Sequence, residues 1–282
     1  MSAMKLKLHL HLRPAFGGTR FMIFDVITLF PEVFETYFQQ SLIKKAREKK
    51  IVKINILDLR DFSSDTRATA QGEDERSSSP KHKTATPAFA TRKRCGRVDD
   101  KPFGGGRGMI VKVEPIYRCL STLTKLKVKN EKLKVKKKKT KIILFTPRGK
   151  KFNQKMATQF SKLDRLILIS GRYEGIDERV AKYIADEKIS IGDYVLMGGD
   201  LPALVVIETV ARLVPGVIGK SELLKERITK KKGFIEYPQY TRPEVFAVPV
   251  RKKIYWKVPR VLLSGNHKKI EQWRKKYSKI IE

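Results

Sequence analysis

Long hydrophobic runs are missing from this chain. No window reaches the ~18 consecutive apolar residues that a membrane span requires, although a hydrophobic fraction of 41% supplies enough material for a core. Cysteine is scarce: the two present, Cys95 and Cys119, form no CxxC pair, which argues against a disulfide framework or a zinc site and suits a reducing cytoplasm. Histidine is nearly as rare, and of the four residues His9 and His11 lie in the N-terminal tail. A histidine metal site or a serine-histidine triad therefore has little to be built from. Acidic residues are outnumbered, 29 against 62 basic ones, for a formal net charge of +33. A polyanionic partner is the default expectation for such a chain. The run TKLKVKNEKLKVKKKKTK at 124–141 holds ten lysines and one glutamate. It reads as a solvated, low-complexity linker, yet it leaves most of the basic excess on the remainder.

What is present is an alternation of short apolar runs with helix-like patterns. The runs are Ile23 to Thr28, Ile51 to Leu57, Ile142 to Thr146, Leu166 to Ser170 and Tyr194 to Met197; the helical patterns span Glu32 to Lys49, Glu114 to Leu123, Asn153 to Lys162 and Asp177 to Ile184. Such alternation predicts an α/β domain with a largely parallel sheet. At 282 residues the chain exceeds the usual size of a single core, so two domains are expected. Residues 1–21 lack a secretory pattern and read as an extension. The α/β domain is expected over 22–218, interrupted by a Ser/Thr/Arg/Pro-rich insertion at 66–97 that reads as disordered. A polar linker at 219–233 then leads to a second domain at 234–282, which ends in the helix pattern His267 to Ile280.

Glycine marks the strand ends. Four segments carry it: DDKPFGGGRGM at 99–109, TPRGK at 146–150, GRYEG at 171–175 and IGDYVLMGGDLP at 191–202. In parallel α/β sheets ligands bind beyond the carboxyl ends of the strands, where glycine permits close backbone approach. No GxGxxG follows the first strand and no GxxxxGK[ST] occurs, so neither a Rossmann dinucleotide site nor a P-loop is indicated. Taken singly each segment could be an ordinary turn; together they suggest one pocket.

Five motifs in order, VDDKPFGGGRGM, GRYEGIDERV, SIGDYVLMGGDLPALVVIETVARLVPGVIG, EYPQYTRPEVF and VPRVLLSGNHKKIEQWR, make the chain resemble the bacterial tRNA (guanine-N1)-methyltransferases of the trefoil-knotted SPOUT class. The resemblance runs from about Met22 to Arg274. It implies a C-terminal trefoil knot in the α/β domain, a small, mainly α-helical tRNA-binding domain after it, and a cytoplasmic homodimer. It also implies transfer of a methyl group from S-adenosylmethionine to N1 of guanine 37 of tRNA, with dependence on a divalent ion such as Mg2+. The residues matching the family's cofactor pocket are Thr146, Pro147, Gly149, Gly171, Tyr173, Glu174, Gly175, Ile191, Gly192, Tyr194, Leu196, Gly198 and Gly199. Asp99 and Asp100 match acids near the substrate, and Arg242 and Lys268 belong to the tRNA-binding segment.

Guanine N1 carries a proton at neutral pH, so its methylation needs a base, and a cation or donor for the charge that builds on O6. Arg212 matches the family's motif arginine; an i,i+4 surface pair with Glu208 is the plain alternative. The family's catalytic aspartate has no counterpart in SELLKERITKKKG. Glu226 is the closest carboxylate, with Glu222 the fallback. Arg179 reads better as a structural ion pair, and Trp273 and Ile270 as packing residues. Two other functions stay open: a related knotted methyltransferase with another RNA target, and a basic RNA-binding protein that has lost catalysis.

Overall fold

The computed structural model describes residues 21–63, 97–123, 126–129, 132–135, 139–219, 234–247 and 254–281. The N-terminal extension, nearly all of the 66–97 insertion, and the linker with Glu222 and Glu226 lie outside the described residues.

The first element of the described residues is β1 (Met22–Thr28), whose burial is almost unbroken. The expected helix Glu32 to Lys49 is two helices, α1 (Glu32–Phe38) and α2 (Ser41–Glu48). The core residues explain the break: Phe34 and Phe38 keep helical spacing, but the next buried positions are Ile43 and Ala46, out of phase with a continuous stripe. Arg47 donates to the carbonyl of Phe38 at 2.9 Å, satisfying one open end of α1. β2 (Val52–Asp58) and a 3-10 turn (Leu59–Phe62) follow. After the insertion come β3 (Asp99–Asp100), β4 (Ile110–Val111) and α3 (Val113–Leu123).

The lysine run is not simply a linker. It contains an antiparallel hairpin, β5 (Leu126–Lys129) and β6 (Lys132–Val135), whose register pairs Leu126 with Val135 and Val128 with Leu133. Period-two alternation of aliphatic residues with lysine is a strand signal, and the density of charge obscures it. β7 (Thr140–Lys151), α4 (Gln154–Phe160) and β8 (Arg165–Ile169) continue the alternation. Asp177 to Ile184 is helical from Glu178, but Val180–Ile184 is a π-helix and not an α-helix, with the Ala185 amide donating to Val180. Nor is Tyr194 to Met197 a strand. The strand is β9 (Glu187–Ser190); Tyr194, Val195 and Met197 are exposed in the loop between β9 and α5 (Asp200–Ala211).

The five long strands form one parallel sheet in the order β2-β1-β8-β7-β9. Alternate side chains feed two cores. Met22, Phe24, Val26, Ile143, Leu166 and Leu168 face α1, α2, α4 and α5; Ile27, Ile142, Leu144, Ile167 and Ile169 face α3 and the π-helix. A parallel sheet covered on both faces gives a three-layer domain. Within it Asp25, fully buried, is held by Arg165 and by Asn55 at 2.7 Å, while Arg165 also donates to the carbonyl of Leu123 at 3.0 Å.

Residues 234–281 have both helix and strand. β10 (Phe234–Glu236) pairs with β13 (Lys279–Ile281), and β11 (Val245–Ala247) pairs with β12 (Tyr255–Lys257). The helices are α6 (Arg260–Leu263) and α7 (His267–Tyr277), the latter capped by the Asn266 carboxamide. The two ribbons are additions to the mainly helical unit that the sequence suggests. Among the described residues no helix is long and apolar enough to cross a membrane.

Candidate active site

Every long strand of a parallel sheet delivers its carboxyl end to the same edge, and all four glycine segments lie there. GRYEG follows β8 directly, TPRGK interrupts β7, IGDYVLMGG follows β9, and the GGGRG loop is held between β3 and β4. Backbone bonds tie three of them together. The amide of Glu174 donates to Met109 at 3.2 Å, that of Val111 to Gly175 at 3.0 Å, and that of Gly199 to Gly171 at 2.9 Å.

Two glycines are dictated by this crowding. A Cβ on Gly149 would stand 2.5 Å from the backbone nitrogen of Ile189, because Lys150 re-enters register with Ile189 after Phe145 has already paired with it. Gly108 combines φ +95° with a position where a side chain would overlap Glu174. The loop before β4 thus rests on the Glu174 side chain, whose residue remains exposed.

The fastener of the arrangement is Asp200, the first residue of α5. It is buried and accepts from Thr28 Oγ1 and Ser170 Oγ, both at 2.6 Å, and from Arg172 Nε at 2.8 Å and Nη2 at 2.6 Å. Thr28 ends β1 and Ser170 follows β8, so one carboxylate joins two strand ends, the GRYEG loop and the start of α5, where an acid also suits the helix dipole. Arg172 lies over the Phe30 ring at 4.4 Å. The sequence carries a signal for Asp200, an acid straight after paired glycines at a helix start, but only the structure reveals its partners.

The other expected residues fall into groups. Thr146, Pro147 and Gly149 bulge from β7; Tyr173 (φ +60°), Glu174 and Gly175 form the adjoining turn; Ile191, Gly192, Tyr194, Leu196, Gly198 and Gly199 complete the rim. The Tyr194 ring lies against Gly192, and Lys151 pairs with Asp193. Asp99 and Asp100 stand at the root of the GGGRG loop, Asp99 beside Arg97 at 3.5 Å and Asp100 accepting from the Lys101 amide at 2.8 Å. Arg179 clasps Asp177 through Nε at 2.8 Å and Nη2 at 2.6 Å, a structural pair as its sequence context suggested. That hydrogen bond holds the Asp177 carboxyl below the usual range.

Arg212 is not among them. It caps the far end of α5, roughly 18 Å along the axis from Asp200 at ~1.5 Å per residue, and nearby Gly216 packs on Ile51 at the amino-terminal end of β2. Its alternative partner Glu208 accepts from the Tyr37 hydroxyl at 2.9 Å. Arg242 lines a cavity of about 930 Å3 with Tyr237, Tyr240 and Trp273, and Lys268 is exposed on α7. Among the described residues no three His, Cys, Asp or Glu side chains gather as a metal site.

A profile of the family "tRNA (Guanine-1)-methyltransferase TrmD" matches residues 22–75 and 83–280. The chain belongs to this tRNA (guanine-1)-methyltransferase family. A family member from Carboxydothermus hydrogenoformans, named tRNA (guanine-N(1)-)-methyltransferase, is 43% identical over 91% of this chain and 83% of its own length. The protein of the same name from Clostridioides difficile is 42% identical over 91% and 92%. The solved tRNA (m1G37) methyltransferase of Aquifex aeolicus superposes with a TM-score of 0.61 at 34% identity, covering 90% of this chain and 88% of that one. Family membership supports the enzyme reading over the alternative of a binding protein without catalysis.

Proposed function

We propose that this enzyme transfers a methyl group from S-adenosylmethionine to N1 of guanine in tRNA, at position 37 as in the name of the Aquifex aeolicus protein. The observation that carries the reading is the gathering of four glycine segments at one sheet edge, fastened by Asp200. The residue types fit the cofactor: close-packed glycine backbone and the side chains of Ile191, Leu196 and Tyr194 suit an adenosine, and the Glu174 carboxylate suits a sulfonium. When bound, S-adenosylmethionine supplies an electrophilic methyl group that needs little covalent assistance, so the protein's work is positioning and charge management.

In this reading Thr146, Pro147, Gly149, Gly171, Tyr173, Glu174, Gly175, Ile191, Gly192, Tyr194, Leu196, Gly198 and Gly199 hold the donor. Asp99 and Asp100 flank the incoming guanine. Glu226 takes the N1 proton, and the Arg212 guanidinium stabilises the charge developing on O6. A divalent ion such as Mg2+ would use Glu174 together with substrate and water oxygens, since Mg2+ accepts one or two carboxylates readily.

Arg212 lies too far along α5 to reach its own chain's glycine loops, so its role requires a second copy. A homodimer would supply it. Val33, Tyr37, Leu201 and Val205 expose apolar surface on α1 and α5, the kind of patch that pairing covers. A trefoil knot is the companion proposal: after edge strand β9 the chain returns to mid-sheet, where Gly199 meets Ser170 and Phe145 between the loops of β7 and β8. Residues 234–247 and 254–281 would carry the tRNA-binding surface, including Arg242 and Lys268.

The test is methylation of an unmodified tRNA transcript, followed by digestion and mass analysis of the nucleosides. Accumulation of 1-methylguanosine is expected. A different methylated nucleoside would favour a related knotted methyltransferase, and binding without transfer a degenerate binder.

A further inference from the structure

The β11–β12 ribbon exposes large aromatic side chains that folding alone does not account for. Its register sets Phe246 opposite Trp256, and the two rings stack with centroids 5.6 Å apart and planes at 29°. Phe246 is 43% and Trp256 64% exposed. A cross-strand aromatic pair steadies a ribbon through the faces that meet; most of Trp256 is left to solvent. Tyr255, opposite Ala247, is exposed as well, whereas the aromatics around α7 are engaged. Trp273 packs edge-on to Tyr240 at 6.2 Å and lies 4.9 Å from Tyr277, while Arg274 lies over Tyr237 at 5.1 Å. The contacts with Tyr240 and Tyr237 hold α7 to the segment before β11.

Charge selects the occupant of the exposed pair. From Val245 to Arg260 the sequence contains Arg251, Lys252, Lys253, Lys257 and Arg260 and no acidic residue. A second copy of a chain carrying +33 would bring like charge to the ribbon. An RNA loop brings phosphates for the cations and flat bases for the rings.

We propose that Phe246 and Trp256 form a stacking platform for an unpaired base of the RNA, with Lys257 and Arg260 on the adjoining phosphates. The inference rests on the tRNA reading above and assigns contact with single-stranded RNA to this ribbon. Base stacking on an aromatic side chain is worth about tenfold in affinity, and it releases no counterions, so it adds nothing to the salt dependence.

Binding of a tRNA transcript across a salt series, with intrinsic fluorescence, tests it. Trp256→Ala is expected to weaken binding about tenfold at every salt concentration with an unchanged slope, while S-adenosylmethionine binding is retained. Lys257→Ala should flatten the slope by about one unit. Trp256→Phe should keep most of the affinity but lose the fluorescence quenching that tRNA causes in the parent. Parent-like affinity in Trp256→Ala overturns the proposal, as does a change in self-association without a change in tRNA binding. If Trp256→Ala fails to fold, Trp256→Phe decides, and quenching that persists from Trp273 alone overturns the platform. A parent chain that bound no tRNA would instead bring down the functional reading itself.

Discussion

Asp200 concentrates more of the site's architecture than any glycine. Its carboxylate is shared by Thr28, Ser170 and Arg172, so Asp200→Ala would strand two hydroxyls and a largely covered guanidinium. Breaking a buried pair from one side costs about 3–5 kcal/mol. Urea denaturation should register a loss of that order, with weaker S-adenosylmethionine binding in whatever remains folded; an unchanged midpoint would mean that the loops are held otherwise. Cys119 offers a second residue-level check. Burial pushes its thiol up to about 12, whereas an unfolded cysteine ionises near ~8.5. The raised value means that its contribution to stability is complete below ~8.5 and is lost as pH rises toward 12. In native protein at mildly alkaline pH, mass mapping should find Cys119 unmodified by iodoacetamide, and modified once the chain is denatured.

Among the elements, the interrupted strand β7 is the most informative. Thr146 to Gly149 leaves the ladder and returns across Ile189, an excursion that only a residue without Cβ completes. Gly149→Ala would overpack the site at a cost of roughly 1–3 kcal/mol. The expected signature is an S-adenosylmethionine affinity reduced tenfold or more in a protein whose circular dichroism is preserved; parent-like affinity would place the donor elsewhere. The same element marks the limit of sequence reading. The apolar content of Ile142 to Phe145 announces a strand, but its continuation through TPRGKK depends on β9, which the half-charged EKIS scarcely signals. Tyr194 to Met197 shows the converse, an apolar run that reads as a strand yet lies exposed among glycines. Core strands, α3 and the four glycine segments were legible because burial and turn chemistry leave local patterns. Asp200's partnerships were not, since they join residues far apart in sequence, and the break at Gln39–Gln40 was not, since it shows only in which positions the fold buries.

At the scale of the whole molecule, the charge of +33 and the length of α5 set the expectations. Affinity for tRNA should fall steeply between low and moderate salt as phosphate contacts release counterions; an affinity flat in salt would contradict the electrostatic part of the reading. Because Arg212 stands at the far end of α5 from the glycine loops, Arg212→Ala and Glu174→Ala chains, each impaired alone, should regain activity when mixed, as one site of the mixed dimer receives both intact groups. Absence of rescue would argue for a site within one chain. The most direct measurement is calorimetric titration of S-adenosylmethionine into the parent and into Gly149→Ala. The gathered glycine loops predict one binding event per chain in the parent and a greatly weakened one in the variant. Equal affinity in the two proteins, or no heat of binding in either, would contradict the assignment of that sheet edge as the donor pocket.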